Sequence, residues 1–199
     1  MNAFANESFI DELAAAGQDP VAYRLAMLRD KPRFAHVHKT AADKAGWGQS
    51  APAGRFRGVA LMEGYDTYMA KVAEISMKDG EPRVHRVTAV ADLGRMVNPD
   101  TVLAQIQSSI VFGLGAALWG EITVDKGRVQ QRNFDTFRIM RGHEVPQIDI
   151  VLVPSTEKPG SIGEPATALI APAVGNAVFA ASGKRLRRMP FTTQSVASA

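Results

Sequence analysis

Residues 68–94, YMAKVAEISMKDGEPRVHRVTAVADLG, decide how this chain is read. Apolar and polar positions alternate through YMAKVAEISM, which places Met69, Ala73, Ile75 and Met77 on one side, with Lys71 as the exception. PRVHRVTAVADLG alternates in the same way, and KDGEP between the two runs carries the residues of a tight turn. Period-two patterning on both sides of a turn predicts a long antiparallel hairpin. The period then changes. Asn98 suits a helix cap, Pro99 suits the first helical position, and Val102, Ile106, Ile110, Gly113 and Leu114 run down one side of a helix.

Upstream of the hairpin the pattern is helical. Residues 5–16 space Phe9, Ile10 and Leu13 as an amphipathic helix, continuing from Phe4, and Gly17 suits its end. In QDPVAYRLAMLRD, Asp19 can cap, Pro20 fits the first position, and Val21, Leu25 and Leu28 share a face. RFAHVHKTAADKAGWG is a weaker third helix ending at Gly46 and Gly48, and QSAPAGRFRG reads as a linker. Downstream, EITVDKGRVQQRNF predicts a second hairpin turning at Asp125–Gly127, and PQIDIVLVP (146–154) predicts a strand. A last helix follows Glu164, with a break or kink expected at Pro172 and an end at Gly183. The predicted class is α+β: a helical section over residues 1–50, then residues 51–199 with antiparallel hairpins packed by two helices.

Composition narrows the chemistry. The 199 residues carry a formal charge of +3, with 46% hydrophobic and 22% charged residues, as ordinary globular domains do. The basic residues are scattered except for KRLRR at 184–188, which reads as a solvated helix exit, so no nucleic-acid footprint is expected. The absence of cysteine rules out disulfides, thiolate catalysis and iron–sulfur ligation within this chain. No uncharged apolar run is read as approaching 18 residues, so no transmembrane helix is expected. MNAFANESFIDEL has acids where a basic leader would stand. It starts helical with no lead-in and reads as a chain cut from a longer one. His36, His38, His85 and His143 lack metal-ligand spacing and are read as structural. No G-x-S-x-G elbow is present, and the glycines of VFGLGAAL fit close helix packing better than a phosphate loop.

Glu164 stands apart. It lies between Gly163, expected to let the chain turn tightly, and Pro165, pre-organised for a helix start. One reading is an N-cap whose carboxylate meets the free N–H groups and the positive end of the helix. The other is a fixed general base: glutamate caps poorly because its side chain reaches past the first turn, so it can project into whatever faces the helix end.

GSIGEPATALIAPAVGNAVFAASGKRLRRMP (160–190) resembles the C-terminal end of the molybdopterin-binding large subunit of molybdenum hydroxylases, the xanthine dehydrogenase and aldehyde oxidase family. It is most similar to the isoquinoline 1-oxidoreductase β-subunit type. NAFANESFIDELAAAGQDPVAYRL, AGRFRGVAL and VADLGRMVNPDTVLAQIQSSIVFGLGAALWGEIT agree in order, so the resemblance runs from Asn2 to about Phe191. Where the family usually has Gly-Val-Gly-Glu, this chain has Ser161-Ile162-Gly163-Glu164.

The resemblance implies hydroxylation of an N-heterocyclic aromatic or aldehyde carbon with water as oxygen source. Glu164 is then the base that takes a proton from a metal-bound hydroxyl, with Ile162 and Leu169 as apolar neighbours offsetting the helix dipole. It further implies a molybdenum–molybdopterin cofactor in the cytosine dinucleotide form, contacted by Gln105 and by backbone N–H groups of Ser161, Ile162 and Gly163. The implied partners are the N-terminal remainder of the large subunit, which holds the other cofactor loops, and a small [2Fe-2S] subunit. On that reading the chain alone binds no cofactor tightly and is inactive, and its compartment, cytoplasmic or periplasmic, is left open. The alternative is a stand-alone binding or structural module that uses the same scaffold without redox chemistry.

Overall fold

The computed structural model describes residues 2–193. Three helices come first: α1 (Asn2–Ala14), α2 (Pro20–Met27) and α3 (Pro32–Lys44). Asp19 caps α2 as expected, its Oδ1 accepting from the N–H groups of Val21 and Ala22 at 2.9 Å, with Pro20 at the first position. Strands β1 (Phe56–Gly64), β2 (Thr67–Lys78) and β3 (Glu81–Asp92) follow, then α4 (Pro99–Leu118). A hairpin of β4 (Val124–Asp125) and β5 (Arg128–Val129), exposed throughout, leads to β6 (Gln147–Leu152). The chain closes with α5 (Pro165–Ala168) and α6 (Ile170–Ser182).

The main sheet has the order β1-β2-β3-β6. The hairpin read from residues 68–94 is β2–β3, with a bulge at Glu74/Ile75 and a turn through Asp79 and Gly80, both at positive φ. A further hairpin, β1–β2, was hidden in the sequence. Its core-facing strand positions include Gly58 and Ala60, too small to show an apolar alternation. A side chain at Gly58 would overlap the backbone of α6 at Ala173 and Ala177, so the helix lies directly on the strand there. The sheet is mixed, because β6 pairs with β3 in parallel.

Both faces are covered. One face packs Ala60, Met69, Ala73, Ile75, Val87, Ala89 and Ala91 under α4, α5 and α6. The other packs Val59, Leu61, Ala70, Val72 and Val90 under α2 and α3, so the segment 1–50 shares a core with the strands. In α4 the predicted stripe is the buried one: Val102, Ile106, Ile110, Gly113 and Leu114. Truncating a fully buried Ile106 or Leu114 to alanine costs about 2–5 kcal/mol in such a core.

The final helix is interrupted as expected from Pro172: the break falls at Leu169, one turn upstream, where the proline lacks the N–H that would bond the Ala168 carbonyl. Three sequence expectations are corrected. In α1 part of the apolar face points outward: Phe9 and Leu13 are exposed while Phe4 packs on Phe191, and Glu7, Ser8 and Asp11 are buried instead. The reason is a buried ion network. Arg24 donates from Nε to Glu7 at 3.0 Å and from Nη1 to Asp11 at 3.2 Å, and Arg185 reaches Asp11 at 2.8 Å. The KRLRR segment is solvated only in part: Lys184, Arg187 and Arg188 are exposed, Arg187 pairing with Glu12, but Arg185 also stacks on Phe179 and Leu186 is buried. Finally, two helical stretches among the described residues, Pro99–Leu118 and Pro165–Ser182, are long and apolar enough to cross a membrane by length and composition. Both lay their buried stripes on the sheet.

Candidate cofactor groove and catalytic base

The parallel pair β3 and β6 and the start of β2 all reach the same end of the sheet, and three chain segments meet there. The first leaves β3 through Leu93 and Gly94. The second is the β1–β2 turn, Tyr65–Asp66. The third runs from β6 through Pro154 to Glu164. Arg95 N–H donates to Glu157 O at 2.9 Å and Gly160 N–H to Leu93 O at 2.7 Å. A side chain at Gly94, whose φ is +74°, would overlap the backbone of Glu157 and Lys158, and one at Gly160 would overlap that of Asp66. Both glycines are therefore demanded by close backbone approach. Asp92 anchors the junction: Arg33 grips its carboxylate at 2.7 and 2.9 Å, and Gly94 N–H donates to it at 3.1 Å. Burial opposes its ionisation, but these hydrogen bonds outweigh that and hold its pKa below the ordinary aspartate value.

Beside this junction lies an open groove of about 540 Å³ between the start of α4 and the 159–163 segment. Leu93, Met96, Val102 and Ile162 supply apolar wall, Arg95 stands at the rim, and Gln105 and Gly163 bring polar groups. Gln105 lies off the buried stripe of α4, as its position in the sequence predicts, and its Nε2 donates to Gly163 O at 3.1 Å. Its Oε1 has no hydrogen-bond partner among the described residues. The N–H groups of Ile162 and Gly163 have no acceptor among the described residues. The N–H of Ser161 does have one, donating to Tyr65 O at 2.9 Å, while Thr67 Oγ1 donates to Ser161 O at 2.6 Å. The expectation that Ser161 offers its amide to a ligand is thereby corrected. It serves as a staple between the loop and β2.

Glu164 heads α5 but does not cap it. Its backbone is helical, its carbonyl accepts from Thr167 N–H at 3.0 Å, and its carboxylate makes no capping bond. The side chain is exposed, next to Gly163 at the groove end, with no hydrogen-bond or ion-pair partner among the described residues. Pro165 and Ala166 directly behind it are buried, so the carboxylate is mobile only about a fixed backbone. Gly163 differs from expectation. It is not in the left-handed region, and a Cβ there would meet only Ser161 Oγ at 3.9 Å. The turn does not require glycine; the missing side chain keeps the groove wall low.

Sequence reasoning noted Lys71 only as a break in alternation and passed over the Asp92–Arg33 pair. Lys71 is fully buried on β2, and its ammonium donates to the Ala166 carbonyl. Two of the histidines make structural contacts: His38 is buried with Nε2 3.3 Å from Val21 O, and His85 bonds Ser76 at 2.7 Å; His36 and His143 are exposed. Among the described residues no three His, Cys, Asp or Glu side chains converge as metal ligands. An amide acceptor, two open backbone donors and apolar walls would fit a pterin as one side of a cofactor site.

Residues 20–146 match the molybdopterin cofactor-binding domain family. The chain belongs to that family. It is 36% identical to the beta subunit of the isoquinoline 1-oxidoreductase of Brevundimonas diminuta over 94% of its own length. It is 35% identical, over its full length, to a nicotinate dehydrogenase subunit of Pseudomonas putida. It spans 25% of the first of these relatives and 18% of the second. Among solved structures, quinoline 2-oxidoreductase from Pseudomonas putida 86 aligns with a TM-score of 0.55 at 26% identity, covering 62% of this chain and 17% of that one. CO dehydrogenase from Oligotropha carboxidovorans, at 20% identity and a TM-score of 0.57 over 63% of this chain and 17% of that one, shares the fold.

Proposed function

We propose that this chain forms the base-bearing wall of the cofactor site in a molybdenum hydroxylase that oxidises N-heterocyclic or aldehyde carbons, with Glu164 as general base. The observation that carries it is the free carboxylate of Glu164 on a backbone fixed by buried Pro165 and Ala166, beside an open groove. The names of the relatives, an isoquinoline oxidoreductase and a nicotinate dehydrogenase among them, support an N-heterocyclic substrate.

When bound, molybdenum–molybdopterin supplies the two-electron oxidation of the substrate carbon; we assign it the cytosine dinucleotide form. Gln105 Oε1 and the N–H groups of Ile162 and Gly163 would hold its pterin side. Glu164 accepts the proton released as the attacking oxygen becomes nucleophilic, and later yields it to solvent. Leu93, Val102 and Ile162 keep water away from that face of the groove, which strengthens every polar contact made there. The remainder of a large subunit and a small [2Fe-2S] subunit complete the proposed assembly, the latter removing the electrons.

Glu164→Gln in the molybdenum-loaded enzyme tests the assignment. The amide keeps the shape and cannot take the proton, so kcat is expected to fall by about 10³-fold or more with molybdenum content unchanged. Turnover within about tenfold of the parent enzyme overturns it.

A further inference from the structure

We infer that Lys71 is a positioning residue: its ammonium, buried beneath α5, holds the Ala166 carbonyl and so fixes the turn that carries Glu164. The inference rests on the role proposed for Glu164. Lysine is almost never fully buried without a charged partner, yet Lys71 is 0% exposed. It projects from the core face of β2 between Met69 and Ala73, and its strand neighbours in register are Ala60 on β1 and Ala89 on β3. The overlying α5 and α6 carry no ionisable side chain, and α4 carries only Asp100, exposed in its first turn. Among the described residues no carboxylate pairs with the ammonium, and Ala166 O accepts from it.

What the amine holds explains why such a costly group sits there. Helix α5 has four residues and ends at the Leu169 break. A turn of that length, joined to α6 only through the irregular Leu169, has few hydrogen bonds of its own to hold it. Ala166 lies two residues past Glu164, so a hydrogen bond to its carbonyl ties the turn to the sheet from below while Gln105 holds Gly163 from the α4 side. Burial lowers the Lys71 pKa to about 7. Its charge, and with it the strength of a charge-assisted bond, therefore changes around neutral pH.

The test uses this chain and backbone-amide NMR. The Ala166–Ala168 resonances are expected to shift with pH through an inflection near 7, and Lys71→Met is expected to abolish it. The variant is also expected to exchange these amides about tenfold faster, with those of α4 unchanged. A wild-type chain with no inflection between about pH 6 and about pH 8 overturns the clamp. So does a Lys71→Met chain that keeps the inflection or exchanges at the wild-type rate. In the loaded enzyme, Lys71→Met is expected to lower kcat about tenfold or more with KM within about twofold; an unchanged kcat overturns the positioning role even where the clamp is seen. The NMR measurements do not depend on Glu164 being the base, so failure of that assignment leaves its own signature in Glu164→Gln.

Discussion

Gln105 reaches 3.1 Å across to the carbonyl of Gly163, joining α4 to a loop 58 residues further along the chain. The bond spends the donor end of the amide on the protein and leaves the acceptor end facing the groove. It also means that the residue before the proposed base is held from outside its own turn. Two side chains on separate elements, Gln105 on α4 and Lys71 on β2, thus bracket one short stretch of backbone.

The glycines around that stretch are expected to differ sharply under substitution. Gly94→Ala forces a methyl into the Glu157–Lys158 backbone at a positive φ and is expected to cost more than about 2 kcal/mol. Gly163→Ala meets no such obstacle and is expected to stay within about 0.5 kcal/mol of the parent. Urea denaturation of the two variants measures the difference. Any loss of molybdenum retention by Gly163→Ala then reports on the groove and not on folding.

His38 makes stability depend on acid. Burial, its largest cause, lowers its pKa from 6.5 to about 4, so between those values the unfolded chain binds the proton and the folded chain does not. Stability from this group is complete above pH 6.5 and is lost as pH falls toward 4. The expected slope is at most about 1.4 kcal/mol per pH unit. Glu7, raised by burial, acts in the opposite sense, so the clean measurement is the difference between wild type and His38→Phe across this range. That difference is expected to move in favour of the variant as pH falls.

Arg24→Met is expected to be among the most damaging single changes. It leaves Glu7 and Asp11 buried without their shared cation, a loss of about 3–5 kcal/mol in such a setting. A thermal or denaturant midpoint checks this, with Arg187→Met as the control. Arg187 pairs with Glu12 at the exposed surface, where solvent screens the pair, and its loss is expected to move the midpoint far less than that of Arg24.

Much of this was legible in the sequence, and the failures have definite causes. Helix α4 announced itself through Asn98, Pro99 and an unbroken stripe, and β2–β3 through alternation around Asp79–Gly80. Strand β1 did not, because α6 presses on Gly58 and the strand carries no side chain there to mark the pattern. The apolar side of α1 misled because burial there is decided by Arg24 and Arg185, which come from elsewhere in the chain. By resemblance the sequence grouped Gln105 with residues 161–164, and the structure brings Gln105 onto Gly163. That Ser161 is stapled to Tyr65, and that a lysine lies under Ala166, are matters of three-dimensional approach with no local signature.

The parallel seating of β6 on β3 has a practical corollary. It gathers the groove-forming segments at one pole of the sheet, while the Asp79–Gly80 turn lies at the other, the far end of the twelve-residue β2. At ~3.3 Å per residue that is on the order of 35–40 Å away. A fluorophore or affinity handle inserted at that turn offers a way to follow or immobilise the protein while leaving its chemistry alone.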